Sequence, residues 1–178
     1  KGAVPTWKIG ACANAAFRAK IFANPEIGML DEALGAGTPT GCSEDTYLFY
    51  KVLKLGYTII YEPKAYVWHK HRKDIKSLKK QIYNYSKGHV SYHLQTWLVD
   101  KDWRGISRIL GEMPKYQIRQ FARSVLGRSS YPSSLAWLEI KGYLAGPFAY
   151  WRSRRNVERK GRSTPYKSRI KSREFIDQ

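Results

Sequence analysis

Residues 35–56 read GAGTPTGCSEDTYLFYKVLKLG, and how this run is parsed decides the architecture expected around it. Gly35, Gly37 and Gly41 fall with Pro39 inside seven residues, so the first part is a loop whose backbone can closely approach a ligand or another strand. No Gly-Lys-Ser/Thr follows, which excludes a phosphate-cradling P-loop. Ser43 stands at the position of an N-cap, Glu44 and Asp45 occupy a first turn where the macrodipole favours negative charge, and Gly56 supplies a stop. The spacing predicts a helix over 44–55. Leu48, Val52 and Leu55 recur at i, i+4 and i+7 as its buried stripe, and Asp45 nearly shares that face with Leu48, Phe49 and Val52. Glu44 lies over the mixed flank of Tyr47, Leu48 and Lys51, either as a first-turn stabiliser or as a second ligand-facing carboxylate.

Downstream, residues 58–61 (TIIY) and 65–68 (AYVW) read as strands around Glu62-Pro63-Lys64, and upstream residues 7–11 read as another. Residues 15–23 can make two helical turns, ended by Asn24-Pro25. Short strands interleaved with helices make the expected fold class α/β, followed by amphipathic helices. The last strand runs into His69-Lys70-His71-Arg72. His69 and His71 would face one side of a continuing strand and diverge in a turn, and two imidazoles without a clear third ligand are a weak metal signal. Beyond them Ile75, Leu78, Ile82, Tyr85, His89 and Tyr92 keep helical spacing, and a second helix spans about 103–126 with a bend at Pro114. His89 and His93 are four apart, but Val90 occupies the place of a metalloprotease glutamate, so a zincin is rejected.

The 178 residues carry 32 Lys+Arg against 14 Asp+Glu, net +18, yet 43% are hydrophobic and 14% aromatic. That excludes collagen, coiled coil and a wholly disordered polycation. Cys12 and Cys42 are too few for a disulfide framework, and no CxxC or Cys/His array points to structural zinc, so a reducing compartment is expected. The charge is uneven: residues 1–68 hold 7 basic against 6 acidic residues, the remaining 110 hold 25 against 8. An anionic partner should therefore meet the second zone. Residues 132–151 are apolar and aromatic, interrupted by Glu139, Lys141 and a break at Gly146-Pro147. They run into Arg152-Ser-Arg-Arg155, a pattern suited to an anionic membrane surface; the competing reading is a core helix with a basic tail. No stretch of about 18 apolar residues and no signal-peptide h-region occurs. The division expected is 1–72, 73–130 with basic amphipathic helices, 131–162 at the membrane interface, and a basic tail over 163–178.

Four pieces in order carry a resemblance: Ala13-Asn14-Ala15-Ala16-Phe17-Arg18, then Met29-Leu30-Asp31-Glu32, then the run from Gly37 to Tyr57, then Tyr61 to Arg72. Together they resemble the acceptor-side half of family 2 glycosyltransferases, closely over 10–72 and more weakly to about 155. The resemblance implies part of a GT-A (Rossmann-like) fold, a nucleotide-sugar donor, a divalent metal (Mg or Mn) and inversion by direct displacement. It makes Asp45 the expected base and Glu44 the residue that orients the acceptor. It places Asn14, Arg18, Gly37, Thr38, Gly41 and Arg72 at the substrates and His69 near the metal and diphosphate. A sugar or lipid-linked acceptor, in the class of cell-envelope polysaccharide, and a peripheral position on the cytoplasmic face of the membrane follow from the same reading. The departures are the missing donor-binding half with its Asp-x-Asp, Cys12 where glycine is more usual, and Leu30 in place of an aromatic. Asp100-Lys101-Asp102 lies in a helical connection and is not given the metal role. The chain is therefore expected to be a fragment. Two other classes stay open: a basic nucleic-acid-binding module, which no RNP, zinc-finger or KH signature supports, and a non-catalytic membrane-associated interaction protein.

Overall fold

Two long helices, Ile75–Leu98 (α3) and Ser133–Arg159 (α6), lie side by side and carry the rest of the fold in a computed structural model that describes residues 5–68 and 74–160. Their approach is set by small residues. A Cβ on Gly146 would stand 2.5 Å from the Cβ of Val90, and one on Gly142 would stand 2.5 Å from the Tyr83 carbonyl oxygen. Only hydrogen at these positions lets the backbones close to that distance. Hydroxyls then bridge the seam, Ser86 donating to Glu139 O at 2.6 Å and Ser91 to Gly146 O at 3.3 Å.

The other helices are Lys20–Ala23 (α1), Glu44–Lys54 (α2), Trp103–Ser107 (α4) and Met113–Val125 (α5), with a π-helical stretch at Arg108–Glu112 and single 3-10 turns at Thr6–Lys8 and Cys12–Asn14. α2 spans what its periodicity predicts. Leu48 and Val52 join Ile21 and Ile27 in one apolar cluster, while Tyr47 and Tyr50 join Leu34 and Tyr92 in a second. Where the sequence predicts a bend at Pro114, a π-helical stretch, Arg108–Glu112, ends just before the proline. A proline ring clashes with the carbonyl four residues back, and the widened turn makes room for it.

The α/β expectation is corrected: the described residues form helices and no strand, so the short-stranded GT-A (Rossmann-like) architecture expected of 1–72 is not what they build. A strand exists through its ladder, and among the described residues no ladder forms on these segments. Residues 7–11 instead begin in the 3-10 turn. Residues 58–61 and 65–68 run without strand pairing, leaving Tyr61, Tyr66 and Trp68 exposed at 85%, 75% and 95%. The two-turn helix over 15–23 shrinks to α1, because Ala15 is extended and the Asn14 side chain donates to Ala65 O at 2.8 Å. Ser43 does not cap α2. Its backbone is left-handed at φ +84°, and its hydroxyl lies against Cys42 Sγ. The break expected at Gly146-Pro147 is absent too; α6 continues through it, held by its packing on α3. Among the described residues, no helix is long and apolar enough to cross a membrane.

Candidate functional site

The first turn of α2 starts between two backbone segments, and each of its carboxylates lies on one of them. Asp45 Oδ2 accepts the Cys12 N–H at 3.3 Å, and Asp45 Oδ1 accepts the Thr46 N–H at 2.7 Å. Glu44 covers Gly35, where a Cβ would come within 3.0 Å of Glu44 Cδ. Both acids are half-buried. The loop itself is braced from inside, since the Thr38 hydroxyl donates to Gly35 O and pairs with that of Thr40, both at 2.8 Å. Gly41 sits against Asn84 of α3 at φ +83°, which pins the loop to the long helix. Gly37 is exposed, with open space where a side chain would be.

The fold therefore brings together Asp45, Glu44, the Cys12–Asn14 turn and the 35–41 loop. Asn14 is exposed at the end of that turn, and Arg18 is exposed on the segment that follows it. His69 and Arg72, with His71, lie outside the described residues. Among the described residues no group of three or more His, Cys, Asp or Glu is placed to hold a metal, so they do not by themselves form a donor set for the divalent cation that the resemblance implies.

Two thiols flank the acidic pair. The Cys12 thiol is pushed up to about 11 by burial and then by Asp45 and Glu44, and burial likewise raises Cys42 to about 11. Both thiols are thereby kept in the protonated, weakly nucleophilic form near neutrality.

Asp100 and Asp102 have other partners. Asp100 accepts the Tyr47 hydroxyl at 2.8 Å and pairs with Lys54 at 3.0 Å. Asp102 accepts the Tyr50 hydroxyl at 3.0 Å and pairs with Arg104, whose hydrogen bonds hold its carboxyl down at about 2. They bind α2 to the α3–α4 connection.

A buried polar network escaped the sequence reading. Asp31 Oδ2 pairs with Arg154 at 2.7 Å and accepts from Gln95 Nε2 at 2.8 Å, while Gln95 Oε1 accepts the Tyr150 hydroxyl at 2.8 Å and an Arg154 N–H. Ser153 adds a bond to Ala33 O at 2.6 Å. Arg154 is thus turned inward from the basic cluster assigned to the membrane. No local pattern joins residues 123 apart in sequence.

His89 and His93 prove to be neighbours on α3, their rings tilted by 31° with centroids 4.9 Å apart. Burial, and then the Arg108 guanidinium, lowers His89 to about 4; burial, then His89 and Arg108, lowers His93 further, with Asp102 opposing. The unfolded chain binds these protons below about pH 6.5 while the folded chain refuses them. Their contribution to stability is therefore complete above that pH and is lost as pH falls toward 4. Urea midpoints should drop between pH 7.5 and pH 5, above the range of ordinary carboxylates, and His93→Gln should flatten the drop. An equal drop in the variant would remove His93 as its source.

No family model, curated protein or solved structure matches this chain.

Proposed function

We propose that the chain acts in glycosyl transfer, as the acceptor side of an inverting enzyme that uses a nucleotide-sugar donor, with Asp45 as general base. The observation that carries this reading is the Asp45 carboxylate, held at the N-terminus of α2 by two backbone N–H groups beside a glycine-rich loop. Those bonds orient the carboxylate before substrate arrives. The acceptor hydroxyl oxygen attacks the anomeric carbon, the bond from that carbon to the diphosphate oxygen breaks, and the hydroxyl proton passes to Asp45. Glu44, lying on Gly35, orients the acceptor from the loop side. The test is transfer of label from nucleotide-sugars to a sugar or lipid-linked acceptor by the full-length protein. Undiminished turnover in Asp45→Asn would end the assignment.

The outer face of α6 supports a peripheral position on an anionic membrane. Trp137, Leu144, Phe148 and Trp151 are 46%, 59%, 77% and 60% exposed, and their spacing puts them on one helical stripe. Lys141 lies over the Trp137 ring at 5.7 Å and Arg155 over that of Trp151 at 4.5 Å, so cations flank the apolar groups as an interfacial helix requires. Binding to anionic vesicles is expected to weaken with salt and to fall in Phe148→Ser/Trp151→Ser. Equal partitioning into neutral vesicles at high salt would defeat this account, and tight single-stranded DNA binding without vesicle binding would favour a nucleic-acid module.

A further inference from the structure

Between α3, the π-helical stretch, α5 and α6 lies a cavity of about 580 Å³ that opens to solvent. Ile82 and Met113 supply apolar wall, and Tyr85 and Tyr116 add ring faces. Its size falls in the range of small-molecule sites.

Among the polar side chains of the wall, Gln117 and Glu139 each bury an acceptor oxygen. Gln117 is 7% exposed and its Oε1, buried in this wall, has no hydrogen-bond donor among the described residues. The same holds for Glu139 Oε2, while Glu139 Oε1 is fixed by the Tyr131 hydroxyl at 2.6 Å. Two buried acceptors thus lack donors in one cavity, an arrangement that folding alone disfavours. The charges cancel: Arg108 pairs with Glu112 at 2.6 Å, leaving Lys8 against Glu139. The histidines in the wall stay neutral near pH 7 because burial depresses them.

We infer that this cavity binds an uncharged amphipathic molecule, an apolar body ending in hydroxyl groups that donate to Gln117 Oε1 and Glu139 Oε2. Acceptor oxygens disfavour an anion beside them, and a wall in which Lys8 and Arg108 are balanced by Glu112 and Glu139 offers a cation no net charge to pair with. An alcohol meets neither obstacle. The site is separate from Asp45, which does not line it, so it stands or falls independently of the transfer reading.

Isothermal titration of the full chain at pH 7.5 tests this with three probes of equal chain length: hexyl β-glucoside below its micellar concentration, hexyl phosphate and hexylamine. Hexyl glucoside is expected to bind one to one and more tightly than either charged probe. Gln117→Leu, which keeps the shape and removes the acceptor, should weaken that binding roughly tenfold or more. The same variant should raise Tm by about 2–4 °C without ligand, because an unsatisfied buried acceptor is gone. A glutamine with a purely structural role would lower Tm instead. Glu139→Gln, which preserves a partner for Tyr131, should also weaken binding, and Ile82→Trp should block it by filling the apolar end. Absence of heat with hexyl glucoside, tighter binding of a charged probe, or unchanged affinity in Gln117→Leu and Glu139→Gln would overturn the inference.

Discussion

Arg154→Met is expected to lower the unfolding free energy by about 3–5 kcal/mol, the range seen when one partner of a buried ion pair is removed. The Arg154 and Asp31 side chains are only 14% and 5% exposed, so the carboxylate left behind cannot recover its solvation from water. Gln95 would still donate to Asp31, and the Ala33 N–H would still donate to its other oxygen at 2.9 Å, but neither carries a charge. The lost pair also joins three parts of the chain, the 29–34 segment, α3 and α6, which urea should then separate more easily. Asp31→Leu paired with Arg154→Met should cost much less than the two single changes added together, because the double variant buries no orphaned charge. A loss below 1 kcal/mol for Arg154→Met in urea titration would show that the pair does not clamp these elements.

Asp45→Asn in the full-length protein is expected to lower kcat by about 10²–10⁴-fold, the usual contribution of a positioned general base. The amide is nearly isosteric and keeps one oxygen to accept either the Thr46 or the Cys12 N–H, which the carboxylate takes on separate oxygens, but it cannot take the acceptor proton at neutral pH. Nucleotide binding should survive, since the change touches the acceptor side alone. Glu44→Gln is expected to raise KM for the acceptor more than it lowers kcat, in keeping with an orienting role. Cys12→Ala makes a useful control: the bond to Asp45 comes from the backbone, and the thiol is protonated, so activity should change little. Loss of nucleotide binding together with turnover in Asp45→Asn would point to damage of the fold rather than removal of a base.

Much of the candidate site was legible from residues 35–56. The acidic pair, the glycine-rich loop and the extent of α2 all emerge where periodicity and punctuation put them. Ser43 was misread because an N-cap assignment from residue type assumes an extended backbone, and here the loop delivers Ser43 in a left-handed conformation. Residues 58–61 and 65–68 have strand composition, but composition reports only the side chains' fitness for a pleated surface and says nothing of whether a neighbouring strand exists. The basic run 152–155 looked uniform, yet Arg154 faces Asp31 while Arg155 lies on Trp151. A helix rotates successive residues by about 100°, so one charged run can serve two environments.

Local order thus explains α2, α3 and the helical course of 103–126, since 3.6-residue periodicity and turn residues act over a few positions and need no distant partner. The absence of a ladder at 58–68, the Asp31–Arg154 clamp, the close seam at Gly142 and Gly146, and the cavity holding Gln117 and Glu139 had to wait for the packed chain. Each depends on segments tens of residues apart, and a distance of that kind is written in no window of sequence.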